Sequence, residues 1–241
     1  MTPLDRLRIE KAATDCGFEM TPAERDGGLE LRSAHFPEAV VVRQAGPDAF
    51  AVVAPSSLLL NATAGAGPVM LTGFAALYEV LRTATAHART LPNRVADAFR
   101  SETAGLPRTT EAERLVVQRV GQNLFRAALL DYWQGRCCVT GLAVPSLLRA
   151  SHIKPWAKCA TDDERLDVFN GLLLAPHLDA LFDGGWISFA DDGTVLTSET
   201  LSSEARRLLG VSEGWRVANL KSEHLSYMSF HRHCELRRRV A

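Results

Sequence analysis

One stretch constrains this chain more than any other: residues 149–185, RASHIKPWAKCATDDERLDVFNGLLLAPHLDALFDGG. It sets His152 in a short apolar run, crosses a polar loop, and re-enters an apolar run at Asn170-Gly171-Leu172-Leu173-Leu174. His177, Asp179 and Asp183 follow, with apolar residues at helical spacing. Two short apolar runs and then a 3.6-residue period predict strand, excursion, second strand and helix.

The residue types in that order suit hydrolysis of a phosphodiester, which needs an activated water, a cation on the non-bridging oxygen and stabilisation of the leaving oxygen. His152 is the candidate general base, because an imidazole titrates near neutrality. Asn170 can pin the intervening loop through side-chain bonds to backbone. Asp179 and Asp183 lie four apart, so a helix projects both to one side, where they could ligate Mg²⁺ or Mn²⁺. His177 reaches the same ion only if it precedes the helix. Spacing alone leaves plainer readings open: a satisfied core histidine, an Asn-Gly turn, and a solvated pair of acids.

Upstream, residues 111–134 (EAERLVVQRVGQNLFRAALLDYWQ) form a strong amphipathic helix with acids in the first turn. Leu115, Val116, Leu124, Phe125, Ala128, Leu129 and Trp133 are its expected buried side. Gln122 and Arg126 share a face, which is a solvated face, a DNA-backbone contact or a support for the site. Cys137 and Cys138 have no CxxC spacing and no second pair downstream, so they read as packed thiols, not as half of a closed zinc site.

Four ordered segments then carry a resemblance: Arg119–Arg126, Arg136–Gly141, Ala150–Trp156 and Asn170–Gly185. Over about residues 112–240 the chain resembles the HNH endonuclease family, in particular its prokaryotic restriction-type branch. The resemblance implies a ββα-metal fold with His152 as general base, Asn170 as the loop-orienting residue and Asp179 at the final ligand position. His177 and Asp183 join Asp179 as candidate ligands of a divalent ion, Mg²⁺ or Mn²⁺. Gln122, Arg126, Lys154, His231 and Arg232 are then the expected DNA contacts. Two departures stand out: Ser151 where many relatives carry an acid or a His, and Asp at position 179 instead of His. Oxygen donors favour a hard ion over Zn²⁺.

The expected architecture is α+β: a small N-terminal α+β domain over residues 1–90, a linker over 91–110, and the ββα-metal nuclease domain over 111–241. In the first of these, helical spacing covers 4–16, strands cover 29–32, 39–43 and 49–53, a loop covers 61–68 and a helix covers about 73–88. Beyond the nuclease stretch, a strand over 186–189, a return at 195–196, a helix over 202–209 and a basic helical tail over 222–239 complete the pattern. When such a nuclease is fused to another domain, that domain commonly reads the DNA, so the N-terminal part is the expected recognition module, with modified DNA as one target class.

At 241 residues the chain holds one large domain or two small ones. A net charge of −1 denies it a global nucleic-acid signature, and a local basic face suffices for a DNA enzyme. The last 21 residues are such a region, with five Lys or Arg against two Glu. Five cysteines without a pairing pattern, a charged beginning and no long apolar run point to a cytoplasmic protein with no membrane segment. The expected activity is metal-dependent cleavage of double-stranded DNA, in restriction or defence, with a homodimer as the natural way to cut both strands. The competing expectation is a non-catalytic DNA-binding protein on a degenerate HNH scaffold.

Overall fold

The structure, a computed structural model, describes residues 1–56, 59–60, 67–91, 93–107 and 109–237. The chain divides into two compact units, Met1–Arg89 and Thr90–Ala241.

The first unit begins with helix α1 (Pro3–Asp15). Thr2 caps it by accepting from the Asp5 amide at 3.1 Å, and Pro3 supplies a preset φ. Gly17, at φ +95°, ends it. An antiparallel meander follows: β1 (Ala23–Arg25), β2 (Gly28–Leu31), β3 (Val40–Gly46), β4 (Ala49–Val53) and β5 (Val69–Thr72), paired in chain order. Helix α2 (Phe74–Thr90) closes the unit. Leu29, Leu31, Val40, Val42, Phe50 and Val52 bury one sheet face, as the period of two requires.

The sequence reading named three of these strands. It missed β1, which turns into β2 through Asp26-Gly27 with both residues at positive φ, a two-residue hairpin. It also missed β5, whose Met70 and Thr72 are exposed and so give little hydrophobic signal. The expected loop over 61–68 falls largely outside the described residues.

The second unit opens with a correction. Within the expected linker, Arg94–Thr103 forms helix α3, which packs against the helix after it. Val95, Ala96, Phe99 and Thr103 make a buried stripe at helical spacing, and the nearby prolines and glycine flank that stripe without interrupting it. Helix α4 (Glu111–Tyr132) starts with a capping box in which Thr110 and Glu113 satisfy each other's amides. Its buried line is Val117, Gly121, Phe125, Ala128, Leu129 and Tyr132. Leu115 and Val116, expected inside, are each 52% exposed, because they lie two and one residues before Val117 on that line, about 200° and 100° around the helix.

Strand β6 (Arg149–His152) pairs antiparallel with β7 (Gly171–Leu174), with Ser151 opposite Leu172 and His152 opposite Gly171. Between them the excursion folds into a 3-10 turn (Trp156–Lys158), helix α5 (Asp162–Leu166) and a second 3-10 turn (Val168–Asn170). Helix α6 (Pro176–Asp183) completes the ββα unit. All four β7 residues are buried, which is why this strand reads as an unbroken apolar run. Gly171 must be glycine: a Cβ there would lie 2.7 Å from atoms of both Leu129 and Phe125. The remainder is β8 (Ile187–Phe189) paired with β9 (Val195–Thr197), α7 (Ser203–Leu208) capped by Ser202, and α8 (Ser222–Cys234). The α+β class and the ββα arrangement match the expectation. No helix among the described residues is long and apolar enough to cross a membrane.

Candidate active site

His152 ends β6, and its ring is clamped from two sides. Phe125 stacks on it at 3.9 Å between centroids, and Trp156 meets it edge-on at 5.6 Å. Its Nε2 lies 2.8 Å from the Arg165 carbonyl. A carbonyl only accepts, so Nε2 carries the proton and Nδ1 keeps its lone pair. Among the described residues Nδ1 has no hydrogen-bond partner. Burial pushes the imidazole pKa below the ordinary 6.5, partly opposed by the bond to Arg165. A neutral, single-tautomer imidazole with one open nitrogen is what a general base requires.

Asn170 explains why the Arg165 carbonyl is where it is. Fully buried, its Oδ1 accepts from the Lys154 amide at 2.7 Å. Its Nδ2 donates to the carbonyls of Lys154 (3.2 Å) and Glu164 (3.0 Å) and to the Cys159 sulfur (3.4 Å). One side chain thus ties the start of the excursion to α5, and the carbonyl it holds lies one peptide before the one that orients His152. The Arg165 side chain adds bonds to the carbonyls of Trp156 and Cys159 and an ion pair with Asp162. Trp156 and Arg165 went unnoticed in the sequence; a tryptophan four residues after the base was the available signal for Trp156, and a backbone carbonyl gives none.

Asp179 is half-buried and Asp183 exposed, both on α6. Burial raises the pKa of each carboxyl; the neighbouring Asp179 charge also raises that of Asp183. Ser151 and Arg149 hold Asp179 down in part. The Ser151 hydroxyl is buried beside Asp179 yet has no partner at hydrogen-bonding geometry. Strand residues alternate in direction, so Ser151 and His152 leave β6 on opposite faces.

Other expected site residues have different employment. His177 lies inside α6, two residues and so about 200° around the axis from Asp179. It is exposed and faces the Trp215 ring at 5.8 Å, so it does not join the two carboxylates. Among the described residues no group of three or more His, Cys, Asp or Glu lies close enough to hold a metal ion. Arg126 donates to the carbonyls of Leu148 (2.7 Å) and Pro145 (2.9 Å), which ties α4 to the segment before β6. The Lys154 ammonium is paired with Glu164. His231 is 2% exposed and lies flat on Phe182 at 3.8 Å, between the Ser188 hydroxyl and the Phe182 carbonyl. Burial takes its pKa down to about 4, so it is neutral and sealed away from any DNA. Arg232 reaches the Phe189 carbonyl and Asp191. Gln122 remains exposed on α4.

Cys137 and Cys138 are buried thiols, as expected. The Cys137 sulfur accepts from the amides of Thr140 and Ala175, which fixes the turn before β6 to the start of α6.

The segment around these residues, 137–190, matches the HNH endonuclease family. The HNH segment spans β6, the excursion, β7 and α6, and so contains His152, Asn170, Asp179 and Asp183. HNH endonucleases act on DNA and are generally dependent on a divalent metal. A comparison with curated proteins finds no match.

Proposed function

We propose that this chain is a metal-dependent DNA endonuclease of restriction type, with the HNH segment as its cutting site and the Met1–Arg89 unit as its recognition module. The observation that carries the reading is His152: its Nε2–H is spent on the Arg165 carbonyl, and its unpartnered Nδ1 is free to take a proton from water. Asn170 maintains that orientation from a distance by holding the excursion closed.

Three features support a hard ion at α6. The Ser151 hydroxyl is buried without a partner beside Asp179. Asp179 and Asp183 are like charges at i and i+4, which destabilises a helix. Asp183 also sits at the C-terminal end, where the helix dipole opposes a negative charge. An arrangement that costs stability twice is the kind a cation would relieve. Asp179 and Asp183 would hold Mg²⁺ or Mn²⁺, for which two carboxylates with substrate phosphate and water suffice. When bound, such an ion supplies positive charge to the phosphate oxygens and the leaving group.

The test is plasmid nicking by the full chain in Mg²⁺, Mn²⁺ or EDTA, on unmodified and cytosine-methylated DNA. Metal-dependent nicking should fall by about 10²- to 10⁴-fold in His152→Ala, the range for loss of a general base. DNA binding and a cooperative thermal melt should persist, with the midpoint lowered by loss of the packed ring. Undiminished cutting by the variant would sink the assignment. That no three-donor cluster lies among the described residues favours one competing reading, a DNA-binding protein on a degenerate scaffold. Calorimetry that shows no Mg²⁺ or Mn²⁺ uptake, with DNA binding intact, would select that alternative.

A further inference from the structure

Among the basic side chains around β6 and α6, Arg149 is used differently from the rest. Lys154 is paired with Glu164, Arg165 with Asp162, Lys158 with Glu235 and Arg232 with Asp191. Arg126 and Arg237 donate to backbone carbonyls. Arg149 is exposed, and among the described residues it makes no ion pair and no hydrogen bond through its side chain. Its backbone, by contrast, is held firmly. The residue before it, Leu148, is fully buried with its carbonyl gripped by Arg126, and Arg149 itself opens β6 opposite Leu174.

Strand alternation places Arg149 on the same face of β6 as Ser151, the face toward Asp179. Strand β6 packs against α6, the helix that carries Asp179, and the guanidinium closes no ion pair with that carboxylate. An unpartnered cation on the side of Asp179 is awkward if that carboxylate is to hold a metal ion, because it competes with that ion. The conflict disappears when an anion lies between them. We infer that Arg149 is a phosphate contact, its guanidinium taking a backbone phosphate of bound DNA alongside Asp179. The inference rests on the nuclease reading for its substrate class. It also reassigns the DNA contact expected of Arg126: that residue anchors the peptide from which Arg149 reaches out.

The test separates this from the nuclease reading by working without catalysis. Binding of the full chain to a 20-base-pair duplex is measured in EDTA by fluorescence anisotropy across a salt series. Arg149→Ala should weaken binding about tenfold, as for one lost charge-assisted hydrogen bond. It should also reduce the slope of log K against log salt by about 1. Arg149→Lys should keep the slope, since the charge remains. The side chain is exposed, so the thermal midpoint should not move; Arg149→Gln serves as a second neutral variant. If Arg149 merely balances Asp179, its effect will vanish in an Asp179→Asn background, whereas a phosphate contact persists there. An unchanged affinity and slope in both neutral variants would overturn the inference, as would loss of the effect beside Asp179→Asn. A wild-type chain that ignores the duplex at low salt would overturn it too. Failure of the wild type to nick DNA with any metal, by contrast, removes the nuclease reading and leaves this measurement standing.

Discussion

At the scale of single residues, the site depends on which nitrogen of His152 is committed. The Arg165 carbonyl decides it, and burial between Phe125 and Trp156 lowers the imidazole pKa. A base acts when neutral, so the nicking rate should rise with pH through a midpoint below 6.5 and then level off. Single-turnover rates across pH check this, and an acid limb centred above 6.5 would contradict it. Residue types made His152, Asn170 and Asp179 candidates, because a titrating imidazole, a loop-bonding amide and a carboxylate at fixed spacing carry chemical meaning. They did not show that His231 is inert. A His-Arg pair in a basic tail looks the same whether it faces DNA or the Phe182 ring, and only packing separates the two.

At the scale of elements, α8 is the clearest case of packing overruling a local reading. Charge made it a DNA-facing tail, yet it buries His224, Met228 and His231 against the rest of the unit. Its Tyr227 hydroxyl donates to Asp167 at 2.9 Å, and Asp167 in turn accepts from the Phe169 amide in the turn that delivers Asn170. Burial depresses the His224 pKa to about 3 and that of His231 to about 4. Both folded values lie below the unfolded 6.5, so as pH falls through 6.5 the unfolded chain takes up protons that the folded chain refuses. Stability is therefore full above 6.5 and lost on acidification, by about 1.4 kcal/mol per pH unit for each histidine. Asp167, Asp179 and Asp183, raised above 3.8, act with the opposite sign nearer that value. The window from about pH 5 to 6.5 therefore isolates the histidines. His152, also lowered by burial, adds to the same loss; urea unfolding across the window should show it, and His231→Gln should reduce the slope by about 1.4 kcal/mol per pH unit. A flat profile would mean that α8 does not stay packed.

At the scale of the whole molecule, the chain is two units with separate cores. Hydrophobic pattern and punctuation suggested two parts with a boundary near residue 90; the contacts divide between Arg89 and Thr90. The stretch 91–110 reads as a linker because Pro92, Gly105 and Pro107 punctuate a mixed composition. The short apolar stripe of α3 acquires meaning only against α4. With α3 inside the second unit, residues 90–241 should fold when expressed alone, with a cooperative melt by circular dichroism. They should nick plasmid in the presence of metal while losing whatever target preference the full chain shows. A fragment that is unfolded, or that keeps full discrimination, would refute this division of labour.

What the amino-acid order determined by itself is the local chemistry: the strand–excursion–strand–helix pattern, the caps at Thr2, Thr110 and Ser202, and the base, amide and carboxylates in sequence. These follow from period, spacing and side-chain type, which are properties of neighbouring residues. What tertiary structure decided is which of those groups are free. The side chains of Arg126, Lys154, His231 and Arg232, read from the sequence as DNA contacts, are engaged by carbonyls, acids and an aromatic ring contributed from 10 to 49 residues away. A buried polar group must find such a partner or bear the cost of desolvation, and which partner it meets is set by long-range packing.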